Sequence, residues 1–300
     1  MIGEARDAGH LLRTLGGQWS FSPVAVTDGF QLNSAPMNWI FDLSPGRVRA
    51  DFDGDPTRLT LCQIGVSISE LNRHLERSGR ALATSGASNG QTIPGAIATG
   101  TYSSAIGYGA IQGHVVGLQL LVVTDRSLWV ERASRPVVSD SFIGMLGIDE
   151  HVKDDSLFEA ALVHLGACGL VNATLVEARD SFLLEARRRN VPFDDQFRVA
   201  VEALDFPAVG VANLDSDPYF ALVVINPYDT REVSLTFMHE RAMPADHTPD
   251  YTISDRTGIG YDMLSKAAAL TELIAPSAKL LVGLLFDQEL PEFDRTELVS

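Results

Sequence analysis

The stretch Gln91-Thr92-Ile93-Pro94-Gly95-Ala96-Ile97-Ala98-Thr99-Gly100-Thr101-Tyr102-Ser103-Ser104 decides how the first half of this chain is read. Small side chains let a ligand approach the main chain. Neighbouring amides can form an anion-binding nest, and serine and threonine hydroxyls add donors for phosphate oxygens. A second stretch of this kind, Leu15-Gly16-Gly17-Gln18-Trp19-Ser20-Phe21-Ser22, lies near the N-terminus. On residue chemistry alone the two stretches read equally well as tight turns of a Gly-rich domain.

Strands and helices alternate around them. Residues 59–64 (LTLCQI) read as a strand. Ser67-Ile68-Ser69-Glu70 reads as a capping box, in which Ser67 and Glu70 satisfy amides exposed at a helix start. Ile68, Leu71 and Leu75 recur at helical spacing, and Gly79 supplies a stop. Residues 115–123 (VVGLQLLVV) are nearly all apolar, as in a strand buried on both faces. The turn Thr124-Asp125-Arg126-Ser127 leads to a hairpin partner over 128–131. A second capping box is read at Ser156-Leu157-Phe158-Glu159, opening a short helix that ends at Gly166. Residues 170–176 read as another strand.

After Asp180 the character changes. Residues 219–225 (YFALVVI) and 232–237 (EVSLTF) are strand-like, joined by the turn chemistry of Asn226-Pro227-Tyr228-Asp229-Thr230. Residues 261–274 read as a helix before Pro276, and residues 279–286 fit either strand or helix. The expected boundary lies near residue 179. It separates a domain over 1–179 from a sheet-plus-helix module over 180–300.

Composition bounds the function. The chain has 300 residues, a formal net charge of −16, 45% apolar and 21% charged residues. That is an ordinary globular balance, and the length suits about two domains. The acidic balance argues against a partner bound through a phosphate backbone, so no nucleic acid is expected. No apolar run approaches the roughly 18 residues of a spanning helix, so no membrane partner is expected. The N-terminus lacks the long apolar core of a secretory signal. Two cysteines, Cys62 and Cys168, cannot make a disulfide framework, and the expected setting is cytoplasmic. His10, His74, His114, His151 and His164 show no metal-ligand spacing with Cys, Asp or Glu, so no metal is expected. His114 and Cys168 read as structural. No Gly-x-Ser-x-Gly elbow is present. Asp51-Phe52-Asp53-Gly54-Asp55 lacks the Glu that a calcium loop needs, and Arg187-Arg188-Arg189 reads as a solvated face.

Taken in order, the motifs resemble the FAD-binding domain of the vanillyl-alcohol oxidase (PCMH-type) superfamily, in its sugar-, lactone- and alditol-oxidase branch. In that family a Gly-x-Gly-His-Ser loop precedes a segment like Gln-Thr-x-x-Gly-Ala-x-x-x-Gly-Thr-His-Gly. A strand like Val-x-Gly-Leu-x-Leu-Val and a Leu-Gly-x-x-Gly-Val/Ile-Val element follow. The counterparts here are Gly16-Gly17-Gln18-Trp19-Ser20, residues 91–101, residues 116–122, and Leu165-Gly166-Ala167-Cys168-Gly169-Leu170-Val171. The likeness spans residues 10–180.

The resemblance implies an α+β fold, with a two-subdomain FAD-binding domain followed by an α+β cap or substrate domain. Gly16, Gly17, Gln18, Trp19 and Ser20 would meet the FAD diphosphate. Thr92, Pro94, Gly95, Thr99, Gly100 and Thr101 would line the diphosphate and the ring system. Tyr102, where the family has His, would close or reshape the flavin pocket. Gly169, Leu170 and Val171 would present backbone to the adenine end.

The implied reaction removes two hydrogens from an alcohol, sugar or lactone-type CH–OH group of a small-molecule substrate, with a side-chain base taking the hydroxyl proton. No base is singled out; Tyr219, His239, Glu240 and His247 are candidates by their place in the cap. Neither Gln18 nor Trp19 can form the covalent flavin bond that many members make through His, so FAD is expected to be non-covalent. The family has a strand and helix before the first loop and a return segment after the cap, so a truncated or degenerate member is expected. The alternative is a catalytically inactive relative that acts as a binding or partner subunit. Oligomeric state is left open.

Overall fold

The computed structural model describes residues 2–20, 22–86, 89–122, 126–211, 214–244, 246 and 292–298. The helix read over 261–274, the apolar run 279–286 and His247 lie outside the described residues. The fold is α+β, and the chain divides into two compact units. The first takes in residues up to 103 and from 109 to 180. The second takes residues 104–108 and those from 181 onward.

In the first unit, local sequence chemistry sets most elements. Ser67 caps the helix Ile68–Glu76, and both halves of the capping box form: the Glu70 amide donates to Ser67 Oγ, and the Ser67 amide donates to Glu70 Oε2. The expected second box does not form at Ser156. The helix Asp155–Leu162 is capped two residues earlier by Asp154, whose carboxylate accepts the Leu157 amide at 2.9 Å. Asp154 lies three residues before that amide, the reach a cap requires, whereas Ser156 is already inside the first turn.

The central sheet has six strands in the order Ile40–Asp42, Leu59–Gln63, Leu170–Glu177, Val115–Val122, Arg126–Glu131, Glu150–Lys153. All neighbours are antiparallel except the last pair, whose parallel connection passes through the helix Asp140–Leu146. Both faces are covered, which explains the nearly unbroken apolar run of the third central strand. On one face Ile68, Leu71, Leu75, Ile93, Ile97 and Phe158 from three helices pack on Leu118, Leu120, Val130 and Val176. On the other face Trp129, Phe142, Val137 and Val138 pack with Leu59, Leu61 and Leu175. Burying each such side chain contributes about 1.5–3 kcal/mol. The Trp129 and Phe142 rings meet edge to face at 4.7 Å. Beneath them the fully buried Glu131 carboxylate accepts from Trp129 Nε1, the Val137 and Val138 amides, and His151 Nε2.

Two further strands, Leu12–Leu15 and Phe30–Asn33, pair in parallel as a separate ribbon. This ribbon delivers the chain into the first glycine bend.

The second unit is a four-stranded antiparallel sheet ordered Phe220–Asn226, Asp229–Arg241, Leu183–Pro192, Phe293–Leu298. The helix Asp195–Glu202, capped by Asp194, covers it through Phe197, with Phe206 and Leu214 completing the core against Val233, Leu235 and Phe237. Residues 104–108 join this unit by main-chain bonds: the Ile106 amide donates to the Tyr219 carbonyl, and the Ala221 amide to that of Ser104.

Candidate functional site

A cleft of about 780 Å³ opens in the first unit, and every residue lining it belongs to that unit. Its floor is made where the two glycine stretches meet. A Cβ built on Gly16 would stand 2.6 Å from Thr92 Oγ1, and one on Gly17 would run into the Gly90 carbonyl oxygen. The second stretch is held in turn by the helix cap: the Ile68 amide donates to the Gln91 carbonyl and the Ile93 amide to that of Val66. The Trp19 indole lies flat enough on Gly90 to forbid any side chain there, which fastens one bend to the other. Gln18 holds a left-handed backbone at φ 57°, a conformation that suits glycine better than glutamine.

Of the residues expected at a ligand, Gly16, Gly17, Gln18, Trp19, Ser20, Thr92, Pro94, Gly95, Thr99, Gly169, Leu170 and Val171 line this one cleft. Gly100, Thr101 and Tyr102 lie outside the residues that line it. The helix Ile93–Ala98 ends just before them, Gly100 turns the chain at φ 67°, and the Thr101 amide closes back on the Ala96 carbonyl. Tyr102 then bridges to Ala110 with 77% of its surface exposed. Tyr219, His239 and Glu240 belong to the second unit, not to the cleft. The Tyr219 ring stacks near Tyr108 and Phe182, and the His239 ring is edge-on to Phe237.

The electrostatics of the cleft run against those of the chain. Among the described residues no Asp or Glu lines it, although the chain carries a net charge of −16. Arg6, Arg13, His10 and His164 do line it. Arg6 is paired with Asp7 at 3.1 Å, whereas Arg13 makes no ion pair among the described residues. Gln91 Oε1 and His164 Nε2 are buried there without hydrogen-bond partners among the described residues. Burial lowers the His164 pKa, so the ring is neutral near pH 7. Sequence reasoning missed Arg13 and set His164 aside as bland. A lone cation on the strand that feeds the first glycine bend was the available signal for Arg13.

Backbone laid bare by glycine, hydroxyl groups, Arg13 without an ion pair and no lining carboxylate among the described residues make a site for an anionic dinucleotide. The class is therefore a dinucleotide-binding α+β domain. Residues 1–129 match the family of FAD binding domains. FAD is the cofactor. The residues present fit it: the Gly16 and Gly17 cradle would be filled by any Cβ, and Arg13, which makes no ion pair among the described residues, lines the same space.

Among curated proteins, the chain is 26% identical over 181 residues to L-gulonolactone oxidase of Bos taurus, covering 60% of this chain and 34% of that one. It is 27% identical over 180 residues to a putative D-arabinono-1,4-lactone oxidase of Neurospora crassa, covering 60% and 27%. It is 29% identical over 177 residues to a long-chain alcohol oxidase of an uncultured marine euryarchaeote, covering 59% and 31%. The chain thus spans about a third of the length of these relatives. Among solved structures, cholesterol oxidase from B. sterolicum is similar at a TM-score of 0.56 and 16% identity, covering 95% of this chain and 52% of that one. A solvent-stable cholesterol oxidase is similar at 0.59 and 16%, covering 83% and 43%. At that identity the likeness is one of fold.

Proposed function

We propose that the chain is the flavin-holding part of an oxidoreductase acting on the CH–OH group of a small alcohol, sugar or lactone, with FAD bound non-covalently. The observation that carries this is the meeting of the two glycine bends in a cleft lined by no carboxylate among the described residues. The lactone and alcohol oxidases among its relatives support the substrate class. Bound FAD would supply the two-electron acceptor that takes hydride from the alcohol carbon. The chain's own residues do the holding. Main-chain amides of residues 16–20 and the hydroxyls of Ser20, Thr92 and Thr99 would meet the diphosphate, while Trp19 keeps the two bends together. Neither Gln18 nor Trp19, at the place where the resemblance sets a His, can form a covalent link to the flavin. A cytoplasmic setting belongs to the same proposal and is supported by two free cysteines, one of them buried.

Purified protein should show a flavin spectrum. Acid precipitation should leave the yellow colour in the supernatant; a yellow pellet would refute the non-covalent linkage. Anaerobic L-gulonolactone, D-arabinono-1,4-lactone or a long-chain alcohol should bleach the spectrum. A second reading, a flavin-binding subunit without catalysis, is favoured by the exposed Tyr102 outside the cleft. It predicts a bound flavin that none of these compounds reduces.

A further inference from the structure

The second unit carries an open groove with no residue in common with the flavin cleft. It runs between the helix Asp195–Glu202 and the short 3₁₀ helix Phe206–Val209 and has a volume of about 430 Å³. Val199, Ala200, Ala203 and Ala208 make its apolar floor, and Asp195 and Asp205 stand at its edges. Gln196 Nε2 donates to the Ala208 carbonyl at 3.3 Å and joins the two walls. Asp195, Val199 and Ala203 recur every four residues, so they share one flank of the helix, while Phe197 on another flank is spent on the core. Val199 is 66% exposed. Among the described residues no Lys or Arg lines the groove, and Asp195 and Asp205 make no ion pair. The turn that joins the walls is strained. The Leu204 amide donates to the Val201 carbonyl and the Asp205 amide to that of Ala200, a helix ending whose left-handed position is ordinarily glycine. Here it is Leu204, at φ 55°. The leucine gains little burial in return, since it is 59% exposed. A strained backbone that presents an apolar side chain to water points to a surface kept for contact.

We propose that this groove docks a basic amphipathic helix of a partner protein. Its apolar side chains would seat on Val199, Ala203 and Leu204, between Lys or Arg residues two turns apart that meet Asp195 and Asp205. Charge selects this occupant. A second copy of a chain with net charge −16 would set carboxylate against carboxylate, and a nucleic acid or an anionic lipid surface would be repelled in the same way. A small molecule would stay largely wetted on so exposed a floor. The three alanines keep that floor low, which lets a second helix axis approach closely. From Asp195 to Ala203 the helix rises about 12 Å, the span of two turns and a little more, so cations two turns apart on a partner helix match the carboxylates at the groove's edges. The docking reading does not depend on the flavin reading, and either can fail without the other.

The test is titration of the full chain with a fluorescently labelled, Ala-based helical peptide of about 16 residues, long enough to hold its helix, read by anisotropy. The peptide carries Leu on two successive turns of one face with Lys on either side. A control peptide has the same composition, with its Leu residues spread around the helix, so that mere attraction of cations to an acidic chain is seen equally with both. The ordered peptide should bind at least about tenfold more tightly than the control. Val199→Ser should abolish that preference. Asp195→Asn should weaken the ordered peptide about threefold, the scale of one exposed charge pair. Leu204→Gly should raise the thermal midpoint by relieving the backbone and yet weaken the ordered peptide about threefold. Val199 and Leu204 are both exposed, so neither change removes a core contact. Equal binding of the two peptides by the wild type would overturn the proposal, as would a preference that survives Val199→Ser. A wild-type dimer in sedimentation that Val199→Ser dissolves would overturn it in favour of a second copy.

Discussion

A methyl group on Gly17 would run into the carbonyl oxygen of Gly90, and it would also press on Trp19 and the Gln91 main chain. The two bends thus touch backbone to backbone, with no flexible side chain to give way. Gly17→Ala should separate them, weaken FAD at least about tenfold in a fluorescence titration, and lower stability by about 1–3 kcal/mol through overpacking. Unchanged flavin affinity would mean that the cofactor does not depend on this meeting of the bends.

Gln18 is held at φ 57° in the middle of the same bend. A left-handed non-glycine residue costs about 1–2 kcal/mol, part of which is offset because glycine has more freedom to lose on folding. Gln18→Gly should therefore raise the thermal midpoint by about 1–3 °C with the flavin affinity retained. A lower midpoint would show that the glutamine side chain contributes more than the backbone strain takes away.

Glu131 is the most heavily bonded buried carboxylate in the first unit. Its Oε2 accepts from Trp129 Nε1 at 3.3 Å and from the Val137 and Val138 amides at 3.1 Å each, and its Oε1 meets His151 Nε2 at 2.8 Å. Glu131→Ala should cost about 3–5 kcal/mol in urea unfolding, since it leaves buried amides and a histidine without partners. Glu131→Gln keeps the volume but turns one acceptor into a donor facing N–H groups, so about 1–3 kcal/mol is expected.

His114 makes stability depend on pH. Burial is the main influence on it and lowers its pKa; bonding and charge at Glu177 oppose the shift, whereas the Thr84 amide, which donates to Nε2 at 3.3 Å, favours the neutral ring. In the unfolded chain a histidine titrates near about 6.5. Below that pH the unfolded chain takes up the proton first, so stability is level above about pH 6.5 and falls as pH drops toward the folded value. His164, also depressed by burial, acts in the same direction. Urea midpoints at pH 7.5 and 5.5 check this: the midpoint should be lower at 5.5, and His114→Gln should remove part of the difference.

Much of the architecture was legible from the sequence. The Ser67–Glu70 box formed, because both of its bonds lie within four residues. The apolar run from 115 became a central strand covered on both faces, because such a run has no side to show to water. The second helix start was misread by two residues, since Asp154 and not Ser156 occupies the N-cap and accepts the Leu157 amide. The passage of 104–108 into the second unit depends on main-chain bonds with residues more than a hundred positions away, and nothing local announces it.

The candidate site divides in the same way. The sequence alone determined where the main chain could be approached, because glycine, serine and threonine carry that property wherever they stand. Tertiary structure decided which polar groups would be left with bonds to give. Arg13 is an ordinary strand residue until the fold leaves it without an ion pair among the described residues, and His164 is one histidine among seven until burial and the Gly166 amide on Nδ1 leave its Nε2 without a partner among the described residues. Side-chain size acts locally, whereas burial and hydrogen-bond satisfaction depend on everything that packs around a group.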